Sequence, residues 1–170
     1  MKGEAQWRGI LSLIMAGVIA GLVNAGFYGL IMNPLVGEAA ENEVAVSTYS
    51  INLFVGWVFF SAWFLAKADD EWKKVAESVV RADREVFMIE APKRIALSIR
   101  ILYMLISLLV VLSFHLFRID NQLVLFEIQF GVGFLVAMTI LVLWDLDDPI
   151  GGVINVPNIP AEWLNELPAA

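Results

Sequence analysis

The sequence contains no cysteine. Disulfides, thiol nucleophiles and thiolate-held metals are therefore excluded. It has a single histidine, His115, so one copy cannot build a multi-histidine metal cage. Charge is scarce as well: 17% of residues are Asp, Glu, Lys or Arg, against about 25% in an ordinary soluble domain. The net charge is -7, the wrong sign for a general nucleic-acid partner. No phosphate-cradling glycine loop, nucleophile constellation or haem-ligand set can be read in the chain, so neither an enzyme nor a cofactor is expected.

What the chain has is apolar length. It is 59% hydrophobic, with mean hydropathy +0.75. The charged residues are segregated, which leaves long apolar runs at residues 10–32, 49–66, 95–117 and 123–144. About twenty helical residues, each rising ~1.5 Å, cross a bilayer core of ~30 Å. The second run is the shortest, and its helix is expected to start earlier, near Val44. Arg100 lies inside the third run, where it can snorkel to the near surface. These features predict an all-α integral membrane protein, one membrane domain over residues 1–170. Its four transmembrane helices form two hairpins. A cytoplasmic amphipathic helix at 67–94 separates spans two and three, and a cytoplasmic tail covers 145–170.

The distribution of Lys and Arg sets the orientation. Residues 33–48 hold Glu38, Glu41 and Glu43 and no basic residue. The segment between spans two and three holds Lys67, Lys73, Lys74, Arg81, Arg84, Lys93 and Arg94, and Lys2 and Arg8 precede span one. Both termini are therefore expected in the cytoplasm. The first apolar run is too long for the core of a signal peptide, so it reads as a retained helix.

In the middle segment, Trp72, Val75, Val79, Ala82, Val86 and Ile89 step by three and four, a heptad-type seam. Asp69–Lys73, Asp70–Lys74 and Glu77–Arg81 are favourable i,i+4 pairs. No Gly or Pro falls between Ala68 and Ala91, so a single helix of about six turns is predicted. Pro92 suits the first turn of span three.

Span one carries Gly17, Gly21, Ala25 and Gly29, each four residues after the last, with Ala16, Ala20 and Asn24 alongside. Small residues so spaced form a ridge that another helix can approach closely, either in the same bundle or in another subunit. Polar residues in the spans are few: Asn24, Asn52, Glu127 and Gln129. Glu127 and His115 fall near the outer surface, beside Arg118 and Asp120. Two readings follow. Glu127 pairs structurally with Arg118 or His115, or the group is an entry point for an ion or proton. In a homo-oligomeric channel, rings of Asn24, Asn52 or Glu127 would line the pore.

After span four comes LWDLDDPIGGVINVPNIP, with Asp145, Asp147 and Asp148. Its spacing matches no EF-hand and supplies too few oxygens for calcium, so no metal is expected. The expectation is a salt-bridged helix end, in which Asp145 and Asp148 share one helical face or pair with Lys93, Arg94 or Arg100, and an ordered tail. Residues 160–167 predict a short helix whose Trp163 and Leu167 face the membrane or a partner. The run Leu146-Asp147-Asp148-Pro149-Ile150-Gly151-Gly152, followed by Val153 and Val156-Pro157, resembles the motif after the last span of bestrophin-like membrane proteins of unknown function. That family has Phe where Ile150 stands, and a longer middle segment. The resemblance implies two helical hairpins around a soluble segment and a link to ion channels. The residues themselves favour a non-catalytic accessory subunit of a larger membrane assembly. Its partners would be the bilayer and other subunits or copies of itself, with a homo-oligomeric channel as the alternative.

Overall fold

The structure, a computed structural model, describes residues 2–32, 43–116, 119 and 121–167. Glu38, Glu41, Arg118 and Asp120 lie outside the described residues. The described chain is helical and has no strand. Helix α1 runs Lys2–Phe27 and ends in a π-helical turn, Tyr28–Met32. Helix α2 is Glu43–Val80, α3 Arg84–Glu90, α4 Leu97–Phe114, α5 Gln122–Leu146 and α6 Ala161–Asn165. Four of these, α1, α2, α4 and α5, are long and apolar enough to cross a membrane. The predicted early start of the second helix matches Glu43.

The surface is compatible with a lipid solvent. Only 17% to 28% of the most apolar stretch of each span is buried within the bundle. Leu11 and Ile19 on α1, Ile51 and Phe59 on α2, Leu105 and Leu109 on α4 and Leu123 on α5 all point outward. A soluble monomer rarely exposes contiguous apolar surface on this scale, whereas lipid accommodates it.

The interior is organised by heptad-like seams. On α2 the buried positions are Ser50, Trp57, Ser61, Phe64, Ala68, Val75 and Ser78. On α4 they are Tyr103, Ser107, Val110, Ser113 and Phe114, and on α5 Leu125, Gln129, Val132, Gly133, Val136, Leu143 and Asp145. Trp57, Phe64, Tyr103, Val110, Phe114, Val132 and Leu143 join in one core. Helix α1 packs chiefly along α5.

The middle segment corrects the single-helix expectation. Span two continues without a break as α2 to Val80, and the three expected i,i+4 ion pairs form on it. The helix then stops. Ala82 takes φ 54, and the Asp83 N–H bonds back to the Ser78 carbonyl at 2.9 Å, a Schellman-type ending. Asp83 caps α3 by accepting from the Val86 N–H. The turn resets the helical phase. Before it, Val75 of the predicted seam is buried; beyond it, Phe87 and Ala91 take the buried positions, while Val86 and Ile89 turn outward. Pro92 lies in a turn, and α4 starts only at Leu97, behind Ala96.

The tail is folded. Trp163 of α6 packs on Phe87 with ring centroids 5.2 Å apart, and Val156 and Leu167 join the same cluster. Both tail residues expected to face the membrane or a partner, Trp163 and Leu167, instead pack on this chain's own α2 and α3. Trp72 donates its indole N–H to the Ile154 carbonyl at 2.7 Å. Arg84 pairs with Glu166.

Candidate functional site

Two clusters of polar groups organise the bundle, one at the tail end and one at the far end.

At the tail end, α5 stops at Leu146 and the three aspartates separate into three tasks. Asp145 is 9% exposed and accepts the N–H groups of Val153 and Ile154, so it fixes the returning tail rather than pairing with a cation. Asp147 accepts the Ile95 N–H at 2.7 Å and pairs with Arg100. Asp148 accepts from Arg94 and from the Gly151 N–H, each at 3.0 Å. Of the expected basic partners, Arg94 and Arg100 are used, and Lys93 binds Glu90 instead. A Cβ on Gly152 would meet the Asp145 and Asp148 carbonyl oxygens at 2.6 and 2.7 Å, so the turn admits only glycine there. Burial pushes the Asp147 carboxyl above its ordinary value, against the opposing pull of the Ile95 N–H and Arg100. Among the described residues, no three or more His, Asp or Glu side chains gather as a metal would require.

The far end is built around the C-terminus of α4. A helix end leaves its last carbonyls without intrahelical donors, and in a membrane those carbonyls must find protein partners. Here each one does. The His115 Nδ1–H meets the Val111 carbonyl at 2.7 Å, and the His115 N–H meets that of Leu112 at 3.1 Å. Ser50 of α2 donates to Ser113 at 2.9 Å, and Gln129 of α5 donates to Phe114 at 2.7 Å. Asn24 of α1 then donates to the Gln129 carbonyl at 2.7 Å. All four spans therefore meet in one polar layer. A second set of bonds ties α2 to α4 deeper in the bundle: Trp57 Nε1 to Ser107 Oγ, and Ser61 to the Tyr103 hydroxyl, each 2.8 Å.

The glycine ridge supports this layer. A Cβ on Gly17 would lie 2.5 Å from Met138 Sδ, and one on Gly21 would lie 2.8 Å from the Phe130 carbonyl oxygen. In return, a Cβ on Gly133 would meet the Cβ of Asn24 at 2.7 Å. The α1–α5 contact is thus close in both directions, and it places Asn24 within reach of Gln129. Ala25 is buried as well. Gly29 is the exception to the expected ridge: nothing lies within 4 Å of its Cβ position. Each step of four residues overshoots a 3.6-residue turn by about 40°, so three steps rotate the position by about 120°. Tyr28, 4% exposed, takes the packing position instead.

The other sequence candidates separate. His115 is 1% exposed and faces the rings of Phe27 and Tyr28, at 5.6 and 5.7 Å. Glu127 is exposed on α5, so the expected Glu127–His115 pair is not made. Asn52 is exposed on α2, away from the seam that Ser50 and Trp57 occupy. Asn24 is engaged inside the α1–α5 contact, which does not suit a pore-lining ring. The sequence reading missed Ser50, Ser61, Ser107 and Tyr103. The available signal was their spacing, since small polar residues fell in register with the apolar seam. A search of family models, curated proteins and solved structures finds no match to the chain.

Proposed function

We propose that the chain is a non-catalytic integral membrane protein that serves as an accessory subunit of a larger membrane assembly. The carrying observation is how the buried polar groups are used. Asn24, Ser50, Trp57, Ser61, Tyr103, Ser107 and Gln129 all bond within the chain and hold its own helices together. In this reading the spans form two hairpins, and both termini lie in the cytoplasm with the basic segment, following the charge asymmetry. The lower part of α2, with α3 and the docked tail, rests as an amphipathic layer at that membrane surface. Solubilisation in mild detergent without crosslinker tests the proposal. Co-purification of unrelated membrane subunits in fixed ratio is expected, and a chain that emerges alone as a symmetric ring would refute it.

A second reading, a homo-oligomeric channel of bestrophin-like type, draws on one observation. Asn52 and Glu127 are exposed polar side chains on otherwise apolar spans, and intramembrane carboxylates commonly mark ion paths. Reconstitution into planar bilayers decides it. Conductance that Glu127→Gln alters in selectivity would favour the channel.

A further inference from the structure

Three features converge where α1 ends. The helix widens into the π-turn Tyr28–Met32, a distortion that often accompanies functional sites. His115 is buried, and its Nε2 has no hydrogen-bond partner among the described residues. A groove of about 210 Å³ opens beside Tyr28, lined also by Gly29, Gln122, Leu125, Phe126 and Gln129.

The chemistry of His115 follows from its neighbour. A backbone carbonyl only accepts, so the Val111 oxygen at 2.7 Å fixes the imidazole proton on Nδ1. Nε2 is then a bare lone pair, an acceptor that calls for a donor. A buried polar atom of this kind is uncommon and costly. Tyr28 belongs to both places: it lines the groove, and its ring lies 5.7 Å from the imidazole. Gln129 also lines the groove and donates to Phe114, the residue before His115. The groove lies between α1 and α5, on an apolar flank where Leu30 and Leu123 are exposed, so a ligand reaches it through lipid. Leu125 and Phe126 offer apolar and ring surface, and the exposed Gln122 offers a polar anchor.

We propose that this groove binds a lipid-soluble aromatic hydroxyl compound, a phenol or quinol in class, whose O–H donates to Nε2 of His115 as the Tyr28 ring turns aside. The proposal holds for either assembly considered above.

The experiment uses the fact that His115 is the only histidine. Nitrogen-15 histidine labelling of the full chain in lipid nanodiscs gives a single imidazole to observe. Para-octylphenol is expected to move the Nε2 resonance saturably. Para-octylanisole, which has the same body but no donor, should bind about ten-fold more weakly, the worth of about one hydrogen bond. Gly29→Leu places a side chain in open space beside the groove. It should abolish the shift while thermal unfolding stays close to wild type. If that variant unfolds, Phe126→Trp fills the groove from the opposite wall. Equal effects of phenol and anisole, no saturable shift in the wild type, or an undiminished shift in a folded groove-filling variant would overturn the proposal.

Discussion

Replacing Gly21 with Ala tests the α1–α5 contact most directly, because Gly26 on the same helix supplies an internal control. Gly in a helix interior is less favourable than Ala by about 1 kcal/mol. At Gly26 nothing lies within 4 Å of the added methyl, so only that gain should register. Gly26→Ala is therefore expected to stabilise by about 0.5–1 kcal/mol. At Gly21 the methyl would lie 2.8 Å from the Phe130 carbonyl oxygen and 2.8 Å from its Cδ2. The ring edge can shift, but the carbonyl belongs to the backbone of α5 and cannot. Overpacking of this kind costs about 1–3 kcal/mol. After the propensity gain is subtracted, Gly21→Ala should destabilise by about 0–2 kcal/mol, leaving the two variants about 1–3 kcal/mol apart. Reversible unfolding in mixed micelles, followed by tryptophan fluorescence, measures the gap. If Gly21→Ala equals or exceeds Gly26→Ala in stability, the close α1–α5 contact is not present in the protein.

Gly21→Leu should separate α1 from α5 or abolish assembly, whereas Leu22→Ile, at an exposed position, should change neither, as size-exclusion profiles will show. Ala82→Gly should raise the unfolding midpoint, because a non-glycine residue at φ 54 carries about 1 kcal/mol of strain; an unchanged midpoint would deny the left-handed turn. Asp145→Asn should weaken tail docking by about 1.5–3 kcal/mol, as expected for charge-assisted bonds, with limited proteolysis after Leu146 as the readout. Asp147 has a folded-state pKa raised above its unfolded value of 3.8, so the folded chain holds the proton more tightly in the window just above that value. Stability relative to Asp147→Asn should therefore rise on acidification from neutral pH toward pH ~4 and be lost as pH increases through the window. A difference that falls on acidification would mean that the Arg100 pairing outweighs burial.

The sequence made the spans legible because a bilayer demands uninterrupted apolar length, which composition displays directly. The basic partner of Asp148 was legible for a similar reason, since few basic residues lay near enough to serve, whereas Arg100 pairs with Asp147 and not with Asp145. The break after Val80 was not. Schellman endings usually announce themselves with glycine, and here Ala82 holds the left-handed position. A heptad count carried through that point kept the wrong phase, so Val86 was assigned a covered place and Phe87 was overlooked. The far-end layer stayed hidden for a different reason. Ser50, His115 and Gln129 matter because they answer the end carbonyls of α4, and where a helix ends among its neighbours is a tertiary fact. Likewise, Asp145 holds backbone N–H groups, which carry no sequence signature.

The tail reaches every helix at its end of the bundle: Val153 against Gly9 of α1, Ile154 on Trp72 of α2, Trp163 on Phe87 of α3, and Asp147 on Ile95 and Arg100 at the start of α4. Everything beyond Leu146 is synthesised after all four spans. Until then the bundle is unfastened at that end, and its last-made segment locks it. A misinserted span would leave this segment without a landing site, with Trp163 and its apolar neighbours bared to the chaperones and proteases that survey newly made membrane proteins. The docked state of the tail thus reports on the position of helices made long before it.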